Sequence, residues 1–358
     1  MIRLIRACID TQALRSNLGV LRARAPRARV LAVVKANAYG HGLVPVALAL
    51  GDADAFAVAR IEEAMALRGA GVTQPIVLLE GVINAGQLTA AAELQLELVV
   101  HDALQLALLE TFRGSHRFTL WLKIDTGMNR LGFRPEDFAA AWARLTALRV
   151  PALRLRVLTH LACADERGHA ANAAQLERFA ALADGLGAER SIANSAAVLS
   201  LPQSHAEWVR PGLALYGLSP FAGQIGAAFG LKPVMSLAST VIAVRAVRRG
   251  EHVGYGATWR AARDARIAIL AGGYGDGLLR SLPSGAPVLI AGRRAPLAGR
   301  VSMDMIAVDV TDLPPVHPGD QAELWGAQLP VEEVAAAAGT VPYELVCGVS
   351  QRVPIELV

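Results

Sequence analysis

Val33-Val34-Lys35-Ala36-Asn37-Ala38-Tyr39-Gly40-His41-Gly42 is the stretch from which the fold prediction starts. The apolar, β-branched run over 30–34 predicts a short buried strand. Lys35 follows this strand, so a rigid element holds the stem of its side chain. Partial burial at such a position lowers the pKa of a lysine and makes its amine a nucleophile that can bond to a carbonyl group. Taken alone, the pattern favours a lysine whose amine reaches solvent at a strand end.

The composition predicts a folded protein with room for two domains. The chain has 358 residues, 53% of them hydrophobic, so a large core can form. Its formal charge of +4 is modest and its basic residues are scattered, which argues against a nucleic-acid partner. No apolar run approaches the roughly 20 residues that span a bilayer, and the start lacks the apolar segment of a signal peptide. We therefore expect no membrane association and a cytoplasmic location.

The cysteines predict neither disulfides nor a metal site. Cys8, Cys163 and Cys347 are odd in number and far apart, and no Cys-x-x-Cys pair occurs. His160 and His169 lie near Cys163 along the chain, but their spacing matches no recognised set of metal ligands. We therefore expect no bound metal.

Strand-like and helix-like segments alternate from about residue 10 to 230. Eight apolar segments predict strands, and Ala- and Leu-rich segments with helical spacing lie between them, so the pattern indicates a (β/α)8 barrel over residues 1–230. The strand candidates are Val30–Val34, Ala55–Val58, Ile76–Leu79, Leu96–Val100, Phe118–Ile124, Leu153–Thr159, Ser191–Asn194 and Trp208–Arg210.

After residue 230 the helical periodicity fades and short β-type runs follow one another, punctuated by Gly and Pro. This pattern predicts a separate, mostly β domain over residues 231–358, with one helix near Val331–Ala338. The strand candidates are Ser239–Val247, Arg266–Leu270, Pro287–Ile290, Ile306–Val310 and Gln321–Trp325.

In a barrel of this kind the reactive groups lie at the C-terminal ends of the strands. By this rule, we expect basic and hydroxyl side chains to lie around Lys35. Such a set of side chains suits an anionic, electron-withdrawing ligand. Each of them alone can be explained as an ordinary strand-end residue, and for most of them that explanation is the better one. The set comprises Lys123, Asp125, Arg130, His160, Asn194, Ser195 and Arg210.

Eight short sequence motifs include most of these residues and are distributed over nearly the whole chain. They are VVKANAYGHG at 33–42, KIDTGMNRLGF at 123–133, THLACAD at 159–165, ANS at 193–195, RPGLALYG at 210–217, VGYG at 253–256, GRVSMDM at 299–305 and PYE at 342–344. Together they resemble the alanine racemase family. The resemblance implies a fold-type III enzyme with pyridoxal 5'-phosphate as cofactor, a head-to-tail homodimer, and interconversion of L- and D-alanine. Such an enzyme supplies D-alanine for peptidoglycan or degrades it.

The resemblance also assigns roles to individual residues. Racemisation needs one base on each face of the amino acid, and Lys35 and Tyr255 match the two bases of the family. Lys35 also anchors the cofactor, and Tyr255 reaches the active site of the other subunit. Without the resemblance, Tyr255 is better explained as a hairpin tyrosine between two glycines.

Further residues match the ligands of the cofactor and the substrate in the family. Arg130 and the main-chain amide of Met303, the latter from the partner subunit, match contacts to the substrate carboxylate. Lys123 matches a lysine that is often carbamylated, and a gate of charged and tyrosine residues is expected above the site. The cofactor ligands are Tyr39, His160, Asn194, Ser195, Arg210, Gly212, Leu213 and Tyr343; the gate residues are Asp165, Tyr274, Arg280, Arg300, Asp304 and Tyr343.

Three alternatives remain at this point. A racemase for another small amino acid such as serine would share these motifs. An amino-acid decarboxylase of the same fold would carry a carboxylate where Arg210 stands. A protein that only carries the cofactor would lack a second domain. The chain departs from the family pattern at Gly275, at Leu278-Leu279 and after Pro354, and none of these changes removes a catalytic group.

Overall fold

The structure, a computed structural model, describes residues 3–149 and 152–358. The described chain begins with strand β1 (Ile5–Ile9) and helix α1 (Thr11–Arg24). Asp10 caps this helix, because its side chain accepts hydrogen bonds of 2.8 Å from the amides of Gln12 and Ala13. In the described part of the chain, none of the helices combines the length and the apolar character that a membrane crossing requires.

Eight parallel strands then close into a barrel in the order of the sequence, and β2 pairs with β9 to complete the ring. The barrel strands are β2 (Arg29–Val33), β3 (Ala55–Val58), β4 (Ile76–Leu78), β5 (Glu97–Val100), β6 (Thr119–Lys123), β7 (Arg154–Leu158), β8 (Glu189–Asn194) and β9 (Trp208–Arg210). The helices between them are α2 (Lys35–Tyr39), α3 (Leu43–Ala49), α4 (Ile61–Gly69), α5 (Ala85–Glu93), α6 (Ala103–Thr111), α7 (Pro135–Thr146), α8 (Ala170–Ala183) and α9 (Ser195–Ser200).

The barrel strands are buried on both faces, which is why they occur in the sequence as nearly continuous apolar runs. The prediction of a (β/α)8 barrel is confirmed. All eight predicted strands are present, and their bounds differ from the predicted ones by two residues or fewer.

The rest of the chain forms a mostly antiparallel sheet, also as predicted, with a small hairpin made by β11 and β12 beside it. Its strands are β10 (Met235–Val247), β11 (His252–Val253), β12 (Trp259–Arg260), β13 (Ala265–Ala271), β14 (Pro287–Ile290), β15 (Arg293–Pro296), β16 (Met305–Asp309), β17 (Gln321–Trp325) and β18 (Ile355–Leu357). Helices α10 (Val331–Ala337) and α11 (Pro342–Gly348) precede the last strand.

Strand β1 was not predicted, and it lies in this second sheet instead of the barrel. It pairs antiparallel with β10 and parallel with β18, so the start and the end of the chain lie side by side. The second sheet is therefore built from both ends of the sequence. Whether residues 1–230 and 231–358 are the right division into domains stays a prediction.

Candidate active site

The C-terminal ends of the barrel strands surround a cavity of about 930 Å³. Ten of the twelve residues predicted to bind cofactor or substrate, or to act as bases, line it, although they come from six separate parts of the sequence. These ten are Lys35, Tyr39, Arg130, His160, Asn194, Ser195, Arg210, Gly212, Leu213 and Tyr343.

Lys35 opens an unusual turn of helix. The four residues after it, Ala36 to Tyr39, all have φ between 53° and 55°, and Gly40 follows with φ 80°. This left-handed conformation costs roughly 1–2 kcal/mol for each L-residue, so it persists only where hydrogen bonds hold it. Glu63 supplies one such bond, since its Oε1 accepts from the Ala36 amide at 2.6 Å. The turn directs Lys35 and Tyr39 to the same cavity.

Tyr39, Ser195 and Gly212 form a cradle at one side of the cavity. A Cβ added to Gly212 would lie 2.3 Å from the Tyr39 hydroxyl, so only glycine allows this close approach. The Oγ of Ser195 accepts hydrogen bonds from the amides of Gly212, at 2.9 Å, and Ala214, at 3.2 Å. Two backbone N–H groups and two hydroxyls thus converge where a phosphate would be bound.

Arg210 is buried beside the cradle among neutral partners. Its guanidinium donates to the Ser191 hydroxyl at 2.7 Å, to the Ile192 carbonyl at 3.2 Å and to the Thr159 carbonyl. Burial lowers the pKa of Arg210 to about 10, so the group stays protonated at neutral pH. His160, which also lines the cavity, has a pKa well below its ordinary value because of burial and the positive charge of Arg210. It is therefore neutral at pH 7.

The cavity collects four cations, Lys35, Lys123, Arg130 and Arg210. Among the described residues, none of the four forms an ion pair with a carboxylate. Asp125 lies near Lys123, but its Oδ1 accepts from backbone amides of the loop that follows. Burial and the charges of Arg210 and Arg130 lower the pKa of Lys123 to about 7. This electrostatic setting suits an anionic ligand.

Tyr255 and Met303 do not line the cavity of their own chain. Tyr255 lies in the turn between β11 and β12, and 70% of its surface is exposed; Met303 is 51% exposed. Of the predicted gate residues, Asp165 and Tyr343 line the cavity. Tyr274, Arg280, Arg300 and Asp304 do not.

Some supporting residues were missed at the sequence level. Gln175 of α8 is buried, and its amide donates 3.0 Å bonds to the Thr126 hydroxyl and the His160 carbonyl. The amide of Ala214 joins the cradle. The sequence signal for Gln175 was absent, because a glutamine in an Ala-rich helix resembles a surface residue.

Known proteins are similar to this chain in both sequence and fold. Residues 9–220 match the model of the alanine racemase N-terminal domain, and residues 234–357 match that of the alanine racemase C-terminal domain. The alanine racemase of Shewanella sediminis is 49% identical over 354 residues, 98% of each chain. The alanine racemase of Vibrio vulnificus is 49% identical over 347 residues, 97% of each chain.

Solved structures of alanine racemases are also similar to this chain over its whole length. The biosynthetic alanine racemase of Pseudomonas aeruginosa superposes with a TM-score of 0.97 at 48% identity over the full length of both chains. That of Bartonella henselae, described as having covalently bound pyridoxal phosphate, superposes over the full length of both chains with a TM-score of 0.91 at 29% identity. The motifs, the barrel with its β domain and these full-length similarities together establish that the chain belongs to the alanine racemase family of amino-acid isomerases.

Proposed function

We propose that this chain interconverts L- and D-alanine with pyridoxal 5'-phosphate bound at the C-terminal mouth of the barrel. The observation that carries the proposal is the arrangement in the cavity: one lysine on a rigid turn, a cradle for a phosphate, and cations without carboxylate partners. A decarboxylase of this fold is disfavoured because Arg210 stands where a carboxylate would be needed.

The residues at the mouth fit the cofactor. Tyr39, Ser195 and the amide of Gly212 would hold the phosphate, with Leu213 and Tyr343 beside them; Lys35 would carry the carbonyl carbon on its Nζ, and Arg210 would face the ring nitrogen, near Asn194. When bound, the cofactor supplies an electron-withdrawing ring that makes the α-proton of an amino acid acidic enough to remove. A cationic partner for the ring nitrogen limits this withdrawal, which favours racemisation over side reactions.

Two proton carriers complete the mechanism. The Lys35 amine serves the face of the D-enantiomer, and the Tyr255 hydroxyl serves the face of the L-enantiomer. A phenol has a pKa of about 10, so the tyrosine needs help to act as a base, and neutral His160, near Arg210, would contact its hydroxyl. Arg130 and the amide of Met303 would bind the substrate carboxylate, since a guanidinium fork fits that group.

We also propose a head-to-tail homodimer in which Tyr255 and Met303 enter the cavity of the partner. Both side chains are largely exposed and lie outside the cavity of their own chain. Met305, 42% exposed, lies two residues after Met303 and adds apolar surface. Tyr274, 41% exposed, adds more, since its amide donates to the carbonyl of Ser302, the residue before Met303, at 3.0 Å. A cytoplasmic site of action fits Cys8, Cys163 and Cys347, all of which are free thiols. There the enzyme would supply D-alanine for peptidoglycan or degrade it.

The decisive experiment measures racemisation across a panel of L-amino acids with added cofactor. We expect alanine to be the best substrate, a visible absorbance from the lysine-bound cofactor, and loss of that absorbance in Lys35→Ala. Failure of the purified protein to bind saturating pyridoxal phosphate would refute the proposal. A higher rate with serine would change the substrate but not the reaction.

Mixed dimers test the contribution of the partner. Lys35→Ala and Tyr255→Phe should each be inactive alone. In a head-to-tail dimer of one subunit of each kind, one site keeps both bases, so mixing should restore about a quarter of the wild-type activity. No restoration on mixing, with exchange of subunits verified, would place both bases on one chain.

A further inference from the structure

His41 is a fully buried residue of the lysine motif to which the proposed mechanism gives no role. Its Nδ1 lies 2.8 Å from the carbonyl oxygen of Tyr39 and 3.1 Å from that of Ala38. A carbonyl oxygen can only accept, so Nδ1 must carry the proton. Burial lowers the pKa of His41 to about 4, so the ring is neutral at pH 7 and Nε2 bears no proton. Nε2 has no hydrogen-bond partner among the described residues.

The single ring N–H of His41 is therefore directed at the left-handed turn. Its two acceptors, Ala38 and Tyr39, are the last two residues of that turn before Gly40. The start of the turn is held separately: Glu63 accepts from the Ala36 amide, and the Asn37 side chain accepts from the Leu43 amide at 2.9 Å. At its end, the amides of Gly40 and His41 donate to the carbonyls of Ala36 and Ala38, and the imidazole N–H adds the bond to the Tyr39 carbonyl.

The imidazole ring also begins a row of aromatic side chains that leads to the cavity. Its centroid lies 4.5 Å from that of Tyr216, which lies 4.8 Å from Tyr39, which in turn lies 6.0 Å from Tyr343. Tyr216 is fully buried, and its hydroxyl donates to the carbonyl of Val33 at 3.1 Å. Val33 ends strand β2, two residues before Lys35. The row therefore connects both ends of the segment that presents the lysine.

We propose that His41 is a positioning residue, whose N–H holds the left-handed turn and whose ring braces Tyr216, so that the Lys35 amine and the Tyr39 hydroxyl face the cavity. The proposal rests on the proposed function only for the identity of the ligand that these two groups hold. The turn itself, the hydrogen bonds and the aromatic row belong to the protein alone.

Two substitutions separate the N–H from the ring. His41→Phe keeps an aromatic ring of similar volume and loses the donor, whereas His41→Asn keeps an N–H near the position of Nδ1 and loses the ring. We expect His41→Phe to weaken pyridoxal phosphate binding to the apoprotein about tenfold, because the Tyr39 carbonyl loses the donor supplied by the imidazole and the Ala38 carbonyl keeps only the main-chain N–H of residue 41. His41→Asn should restore most of that loss. Binding of pyridoxal, which lacks the phosphate, should weaken less, since the Tyr39 hydroxyl would hold the phosphate.

A second readout needs no cofactor. The chain has five tyrosines, so 3-fluorotyrosine labelling gives five ¹⁹F resonances. In the apoprotein, His41→Phe should shift the resonances of Tyr39 and Tyr216 and leave those of Tyr255 and Tyr274 unchanged. If the wild-type protein fails to bind pyridoxal phosphate, the proposed function fails, while these resonances still decide the role of His41.

Unchanged Tyr39 and Tyr216 resonances together with cofactor binding within about twofold of wild type in His41→Phe would overturn the proposal. So would a folded His41→Asn variant that loses cofactor affinity as severely as His41→Phe, because an N–H near the position of Nδ1 would then not restore the turn. Should His41→Phe not fold, His41→Asn decides: near-normal affinity supports the role of the N–H, and a loss of about tenfold or more refutes it.

Discussion

The two mouths of the barrel hold similar cations in opposite electrostatic settings. Toward the N-terminal mouth, Arg156 is 5% exposed and contacts two carboxylates, Glu97 at 2.8 Å and Glu189 at 2.6 Å. Its guanidinium also lies over the rings of Trp121 and Trp208, at 4.7 and 4.9 Å from their centroids. At the C-terminal mouth, the four cations around the cavity have no carboxylate ion-pair partner among the described residues.

This difference separates stability from function within one barrel. At the N-terminal mouth, Arg156 is paired with Glu97 and Glu189, so this network needs no ligand. The cations at the C-terminal mouth remain available to an anion, at the expense of stability of the free protein. We therefore expect substitutions in the network at the N-terminal mouth to lower the free energy of unfolding. Substitutions of the cations at the C-terminal mouth should instead weaken ligand binding.

The largest effect is expected from breaking the N-terminal network. Arg156→Met leaves two carboxylates without their shared cation, and we expect the free energy of unfolding to fall by about 3–5 kcal/mol. Urea unfolding measures this loss. The kcat of the remaining folded enzyme should change little, and a marked fall in kcat without a loss of stability would contradict the separation of the two mouths.

Acid should weaken the same network. Burial opposes ionisation of Glu189, but hydrogen bonds from Trp208 and Arg29 and the charge of Arg156 outweigh it and lower its pKa from 4.5 to about 2. The stabilisation is therefore complete above pH 4.5 and is lost as the pH falls toward 2. Unfolding measured over this range should be less pH-dependent in Arg156→Met than in the wild type.

At the C-terminal mouth, a charged side chain is expected to destabilise the folded protein instead of stabilising it. The pKa of Lys123 is about 7 in the folded protein and 10.5 ordinarily, so the folded state disfavours its charge. Stability should rise with pH from 7 to 10.5, and Lys123→Met should stabilise the apoprotein at pH 7 by on the order of 2 kcal/mol while lowering activity. Thermal unfolding should be measured with and without bicarbonate, because a carbamylated Lys123 would pair with Arg130 and make the same substitution destabilising.

A smaller and purely local effect is expected in the phosphate cradle. Gly212 has a negative φ of −119°, so alanine adds no left-handed strain there, but its Cβ would displace the Tyr39 hydroxyl. Gly212→Ala should weaken pyridoxal phosphate binding about tenfold with little loss of stability. Gly19→Ala is the matched control: nothing lies within 4 Å of that Cβ, and the exposed position in α1 should gain up to about 1 kcal/mol with unchanged cofactor affinity.

The smallest effect is expected at an ion pair outside both mouths. Arg144 and Glu110 lie 2.7 Å apart, but their side chains are 39% and 40% exposed. Arg144→Met should lower the free energy of unfolding by no more than about 1 kcal/mol in urea. A loss as large as that of Arg156→Met would mean that burial does not set the strength of these pairs.

Much of the site could be predicted from the sequence, because the motifs are short and contiguous and each follows a strand. The barrel, the β domain and membership of the alanine racemase family are confirmed. The strand ends Lys35, His160 and Arg210 meet at one mouth as expected from the rule for parallel barrels. The roles of Tyr255 and Met303 in a partner subunit stay predictions.

The sequence alone determined the periodicity of the barrel, the burial of its strands and the reactive groups at their ends, since these depend on local pattern. Only the tertiary structure decided that β1 joins the second sheet, that Gln175 donates to the His160 carbonyl, and that the rings of His41 and Tyr216 lie 4.5 Å apart. Those contacts join residues that are distant in sequence or on differently packed elements, and no local pattern encodes them. The lysine motif illustrates both cases: its resemblance to the family predicts Lys35 as the reactive amine, but the left-handed turn that follows Lys35 is visible only in the structure.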